Sequence, residues 1–150
     1  MKKYFETKLR YQKMTDSGRE QKVTETYLTE AVSFTDAEEI MYKLAEQMSL
    51  KEFQVKDIKE SRIENVLNLD GDKAFMAKVS TISIEEEAGR EKRFTSWWLA
   101  FADDFYEAFK LVNIELESIV VHTYLVSMAE SPIVELVEHE AVAEPSPADA

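Results

Sequence analysis

The side chains of this chain that can grip or stack on a ligand gather in two similar stretches. "GREQK" at 18–22 and "GREKR" at 89–93 are nearly the same five letters. The first presents Arg19 and Lys22, the second Arg90, Lys92 and Arg93, and Lys8, Arg10 and Lys78 lie in the segments leading into them. Aromatic residues are interleaved with these cations: Tyr4, Tyr11, Tyr27, Phe94, Trp97 and Trp98. Cations that meet phosphates and rings that stack on bases are what single-strand nucleic-acid binding requires. Trp97 and Trp98 are adjacent and must point to opposite faces of a strand, so at least one is free to lie outside a core.

Other chemistry finds little support. Histidine is the side chain suited to acid–base work near neutral pH, and the chain has two: His122 sits in an apolar stretch and reads as a structural histidine, while His139 opens the C-terminal tail. No nucleophile–His–acid motif, phosphate-cradling glycine loop or metal-ligand spacing is present. Asp103-Asp104 reads as a helix start, because an aspartate there caps backbone donors and favours the helix dipole. Asp70-Gly71-Asp72 lacks the further ligands of a calcium loop and reads as a turn. Glu85-Glu86-Glu87 reads as a solvated loop. The expectation is a protein without catalytic residues, metal or cofactor.

These residues need elements to position them, and the chain has material for one good core: 150 residues, 45% hydrophobic, with no cysteine to staple it. No stretch has the length of a membrane span, and the start has no apolar run of signal-peptide length, so a cytoplasmic protein in a bacterial host cell is expected. The net charge of −12 is unevenly spread. Residues 1–28 hold seven Lys and Arg against four Asp and Glu, a net of +3, which leaves −15 for the remainder. Such a chain is repelled by nucleic acid at long range and would have to bind it through a local basic face.

Aligning the two halves extends the five-letter match. Thr7-Lys8-Leu9 corresponds to Ala77-Lys78-Val79 at an offset of 70, and Val23-Thr24 and Tyr27-Leu28 to Phe94-Thr95 and Trp98-Leu99 at 71. In the helical segment an offset of 68 pairs Ala37, Ile40, Met41, Leu44 and Met48 with Phe105, Ala108, Phe109, Val112 and Leu116. "SRIENVL" matches "SPIVELV" at 70. This predicts an internal repeat of about 70 residues, one copy at about 3–69 and the other at about 73–138.

Each copy reads as strand, strand, helix, strand and short strand. Phe5, Thr7, Leu9 and Tyr11 alternate with polar residues as in a half-buried strand. Ala37, Ile40, Met41, Leu44, Ala45 and Met48 share one helical face, preceded by Thr35 and Glu38 as a capping box. Asp103 is the expected cap of the second helix. "IVVHTYLVSM" predicts a central strand, and 139–150 a disordered acidic tail. The fold expected is α+β: a single pseudo-symmetric domain over 1–138, of duplicated ββαβ(β) units, with an antiparallel sheet covered by two helices.

The runs "TETYLTEAVSFTDAEE", "VKDIKESRIENVL" and "SPIVELVE" resemble an uncharacterised domain family of gut Bacteroidetes and their crAss-like phages, over about residues 3–138. The resemblance implies a bacterial or phage origin and brings no activity or catalytic residues with it. From the residues themselves, the expected function is non-enzymatic binding of single-stranded nucleic acid as a phage or mobile-element accessory. Two alternatives stay open: binding or sequestering a small anionic nucleotide, and a homo-oligomeric protein-interaction module.

Overall fold

The computed structural model describes residues 2–85, 87 and 89–138. His139, Glu86 and the expected disordered tail lie outside the described residues. Ten elements follow in the order β1 (Lys3–Met14), β2 (Glu20–Ala31), α1 (Phe34–Gln47), β3 (Phe53–Glu60), β4 (Ile63–Leu67), β5 (Lys73–Ile84), β6 (Glu91–Ala102), α2 (Phe105–Glu117), β7 (Thr123–Ser131) and β8 (Ile133–Val137). They form two four-stranded sheets with the same plan, β3-β1-β2-β8 and β4-β6-β5-β7.

The expected single antiparallel sheet under two helices is therefore replaced by two mixed sheets, each with its own helix. In each, a long antiparallel hairpin is flanked by one antiparallel strand and one short parallel strand. The shared plan is compatible with duplication, but the short strands are exchanged. β4 from the first half pairs with β6, and β8 from the second half pairs with β2. Connection length explains this. β3 and β2 both run antiparallel to β1, so a following strand laid parallel to β2 in the same sheet would need a crossover of a dozen or more residues. Only Ser61 and Arg62 separate β3 from β4, and only Pro132 separates β7 from β8. By compactness the chain accordingly divides into a first unit, made from the segments before Arg62 and after Pro132, and a second unit, Arg62–Pro132.

In the first unit the alternation of β1 puts Phe5, Leu9 and Tyr11 against α1, where they meet Ala37, Ile40, Met41 and Ala45, with Tyr27 and Ala31 from β2 and Val137 from β8. Thr7 and Thr29 are fully buried on this side, and their hydroxyls lie 3.0 Å apart in a hydrogen bond. In the second unit Phe75, Ala100, Ala102 and Ala108 form one cluster, and Ala77, Val79, Trp98 and Val112 another.

Both helices start away from the expected caps. Ser33, not Thr35, caps α1 by accepting from the Asp36 amide, while Asp36 accepts from Val32. Asp104, not Asp103, caps α2 by accepting from the Glu107 amide, and the Glu107 carboxylate accepts from the Asp103 amide. Asp103 instead accepts from the Asp72 amide and ties down the turn before β5. With the caps 71 residues apart, the helices correspond at that offset rather than 68. Phe105 and Phe109, which the offset of 68 paired with the buried Ala37 and Met41, are 50% and 42% exposed, and Met48 is exposed too. A helical pattern shifted by three residues still looks apolar on one face, so the pattern alone did not settle the register.

The stretch expected as a central strand is also corrected. β7 starts only at Thr123 and lies at the edge of its sheet. His122 precedes it, exposed, and its carbonyl accepts from the Ile82 amide.

Candidate anion-binding face

Because Phe5, Leu9 and Tyr11 face the helix, the even-numbered residues of β1 face the other way. Lys8 and Arg10 are among them. Ladder partners share a face, so register extends the set: Lys8 stands between Thr26 and Lys56, Arg10 between Thr24 and Gln54, and Gln12 opposite Lys22. Lys8, Arg10, Lys22 and Lys56 thus line one surface. Lys8 and Lys56 are directly opposed like charges, an arrangement that destabilises a sheet unless an anion intervenes. Among the described residues none of these four is in an ion pair.

Where β1, β2 and β3 meet at one end, Arg10, Tyr11, Gln12, Lys22, Glu52 and Gln54 surround a hollow of about 310 Å³. It offers a guanidinium, an ammonium and two amides around one carboxylate. Arg19 lies apart from it in the hairpin tip, where Thr15 and Arg19 close a short loop and Gly18 adopts φ 80. The glycine supplies that left-handed turn without steric cost.

The corresponding residues of the second unit are arranged differently. Lys78 opposes Trp97 and Ser127, with no second lysine beside it. Its ammonium lies 5.7 Å from the Trp97 ring centre, and the Arg62 guanidinium lies over the same ring at 4.6 Å. Half-buried Trp97 is therefore flanked by cations from either side of β6, Lys78 on β5 and Arg62 just before β4. Such contacts contribute about 0.5–1 kcal/mol each at exposed positions. Lys92 is ion-paired with Glu85, Arg93 approaches Glu91 at 4.0 Å and the Tyr124 hydroxyl at 3.4 Å, and Arg90 is an exposed tip residue. Trp98 points to the helix side, is 6% exposed and belongs to the core, so it is not a free stacking platform.

Of the ten residues singled out in the sequence, the structure thus gathers Lys8, Arg10 and Lys22 on one face and Lys78 with Trp97 in the other unit. Arg19, Arg90, Lys92 and Arg93 are tip or near-tip residues. Lys56 and Arg62 were missed. The alternation of Phe53, Gln54, Val55 and Lys56 makes Lys56 outward-facing, but only the register of β3 sets it beside Lys8. Arg62 reaches Trp97 because β4 joins the β6 edge, which residue spacing did not announce.

On the helix side of the first sheet, the Glu25 carboxylate accepts from the Tyr11 and Tyr27 hydroxyls at 2.5 and 3.2 Å. Burial, then the Glu25 hydrogen bond and charge, push the Tyr11 hydroxyl up to about 12. Burial and the same carboxylate also raise Tyr27. These tyrosines stay protonated at neutral pH and act as structural donors. Among the described residues no three of His, Asp and Glu gather as a metal ion would need, and no helix is long and apolar enough to cross a membrane.

The family model for "Domain of unknown function (DUF4494)" matches residues 3–139, and the chain belongs to that family. No match was found among curated proteins or among solved structures.

Proposed function

We propose that the protein is a non-enzymatic binder of single-stranded nucleic acid, and that the face bearing Lys8, Arg10, Lys22 and Lys56 is where the phosphates lie. The observation that carries this reading is the direct opposition of Lys8 and Lys56, beside Arg10 and Lys22, with no ion-pair partner among the described residues. Thr24, Thr26, Gln12 and Gln54 stand between them as neutral hydrogen-bonding groups. The setting that fits is an accessory protein in the cytoplasm of a bacterium or of a phage-infected cell, its two similar sheets descended from one duplicated unit. A second reading, a single nucleotide held in the hollow between Arg10 and Lys22, is favoured by that hollow's size.

Titration of the full chain with fluorescent single strands of increasing length separates the two. The polymer reading expects affinity to rise with length and charge reversal of Lys8, Arg10, Lys22 and Lys56 to abolish it while the thermal midpoint holds. Affinity independent of length supports the nucleotide reading. No binding even at low salt, where electrostatic attachment is strongest, refutes both.

A further inference from the structure

We propose that a hollow on the helix side of the second sheet binds a small organic cation with an aromatic or branched apolar body, an arylalkylamine being the simplest example. This site is separate from the anion-binding face and stands or falls independently of it. The two sheets themselves supply the comparison. Across β3, β1 and β2 one rung reads Phe53, Tyr11, Val23; the corresponding rung across β7, β5 and β6 reads Thr123, Thr81, Phe94. In the first sheet the two large rings fill the space, and Val23, Leu50 and Phe53 pack onto the core. In the second, two threonines stand in place of the rings, and a hollow of about 520 Å³ is open there. That volume lies within the usual range of small-molecule sites.

The walls set the ligand's chemistry. Phe94, 55% exposed, together with Ile119 and Val121, supplies apolar surface around the buried Trp98. Thr95 borders the hollow too, but strand alternation turns its side chain to the opposite face from Phe94, Ser96 and Trp98. The polar side chains on the helix side form two chains whose donors are already used. Trp98 Nε1 donates to Ser96 Oγ at 3.1 Å, and Ser96 Oγ donates to Glu64 Oε2 at 2.8 Å. Thr123 Oγ1 donates to the Val121 carbonyl at 2.9 Å, so it receives the Thr81 proton across 3.1 Å. What remains for a ligand is acceptor capacity, on the Glu64 carboxylate and the Thr81 hydroxyl oxygen. The lining includes no Lys, Arg or His. An anion would meet a carboxylate and no free hydroxyl or indole donor from these residues, whereas an ammonium would find a charge-assisted acceptor beside an aromatic wall.

The test uses the full chain and two-dimensional amide NMR, following the Trp98 indole N–H during titration with phenethylamine, phenylacetate and ethylamine. Phenethylamine should give a saturable shift, and each of the other two should bind at least about tenfold more weakly, as expected when a charge-assisted hydrogen bond or the apolar contact is missing. Glu64→Gln, at an exposed position, should weaken phenethylamine by a similar factor and leave the fold unchanged. Filling the hollow with Thr81→Tyr and Thr123→Phe together should abolish the saturable shift; should that pair fail to fold, Thr81→Tyr alone takes its place. Absence of a saturable shift, equal binding of phenylacetate, or undiminished binding by a folded filled variant would overturn the proposal.

Discussion

Glu25 shows how one residue can organise its surroundings. Its carboxylate accepts from Tyr11 and Tyr27, both buried, so removing it leaves two hydroxyls without that acceptor. Glu25→Ala should cost about 1–3 kcal/mol in urea unfolding, the usual worth of hydrogen bonds to a charged group. The pH dependence has a definite sign. Tyr11 titrates higher in the folded chain, about 12, than its ordinary 10, so its contribution is complete below pH 10 and is lost as pH rises toward 12. Glu25→Gln should bring that titration down, though not fully to normal because burial is the larger cause; absorbance of the tyrosinate against pH reads it directly. Gly71 makes a different single-residue demand. A Cβ there would lie 2.2 Å from the Ala102 amide nitrogen, which is backbone and cannot swing aside. At Gly18 the space is open and only the positive φ resists a side chain. Gly71→Ala should therefore lower stability by about 1–3 kcal/mol or more, as overpacking does, and by more than Gly18→Ala. Equal midpoints for the two variants in chemical denaturation would contradict this.

At the scale of elements, what was legible in the sequence was whatever a local period encodes. The alternation in β1 gave both the buried row and the outward Lys8 and Arg10, and the offsets near 70 gave two sets of elements in one order. Periodicity does not name a strand's partner, so the exchange of β4 and β8 was not visible; connector length and strand direction decide it. Helix register was ambiguous for a related reason, and the observed caps Ser33 and Asp104 resolve it. The candidate site followed the same division. Faces could be read, but the neighbour relations that put Lys56 beside Lys8 and Arg62 over Trp97 could not. The exchange has a testable consequence. Val137 lies near the end of the described residues but packs with Phe5, Leu9 and Met41. Val137→Ala should cost about 1–3 kcal/mol through the cavity it leaves. Its loss of hydrogen-exchange protection should appear in β1 and β2, not in β5 and β7, although β7 is its nearer neighbour in the chain. Protection lost first in β5 and β7 would contradict the strand assignment.

For the whole molecule, the net charge of −12 sets the terms on which any polyanion could bind. Long-range repulsion opposes approach, so attraction has to come from contacts at the local face, and those release counterions from the strand. Each phosphate neutralised on a single strand contributes about −0.7 to the slope of log K against log salt, so four cations acting together give about −3. Alanine at Lys8, Arg10, Lys22 or Lys56 should each make that slope shallower by about 0.7. Lys92 provides the contrasting case, because its ammonium is already paired with Glu85. Lys92→Ala should leave the slope unchanged, whereas Lys56→Ala, at a residue the hairpin sequences never suggested, should change it. Fluorescence anisotropy at several salt concentrations measures all of these slopes. If Lys92→Ala and Lys56→Ala alter it equally, the attraction belongs to the molecule's general charge distribution and not to the face built on β1, β2 and β3.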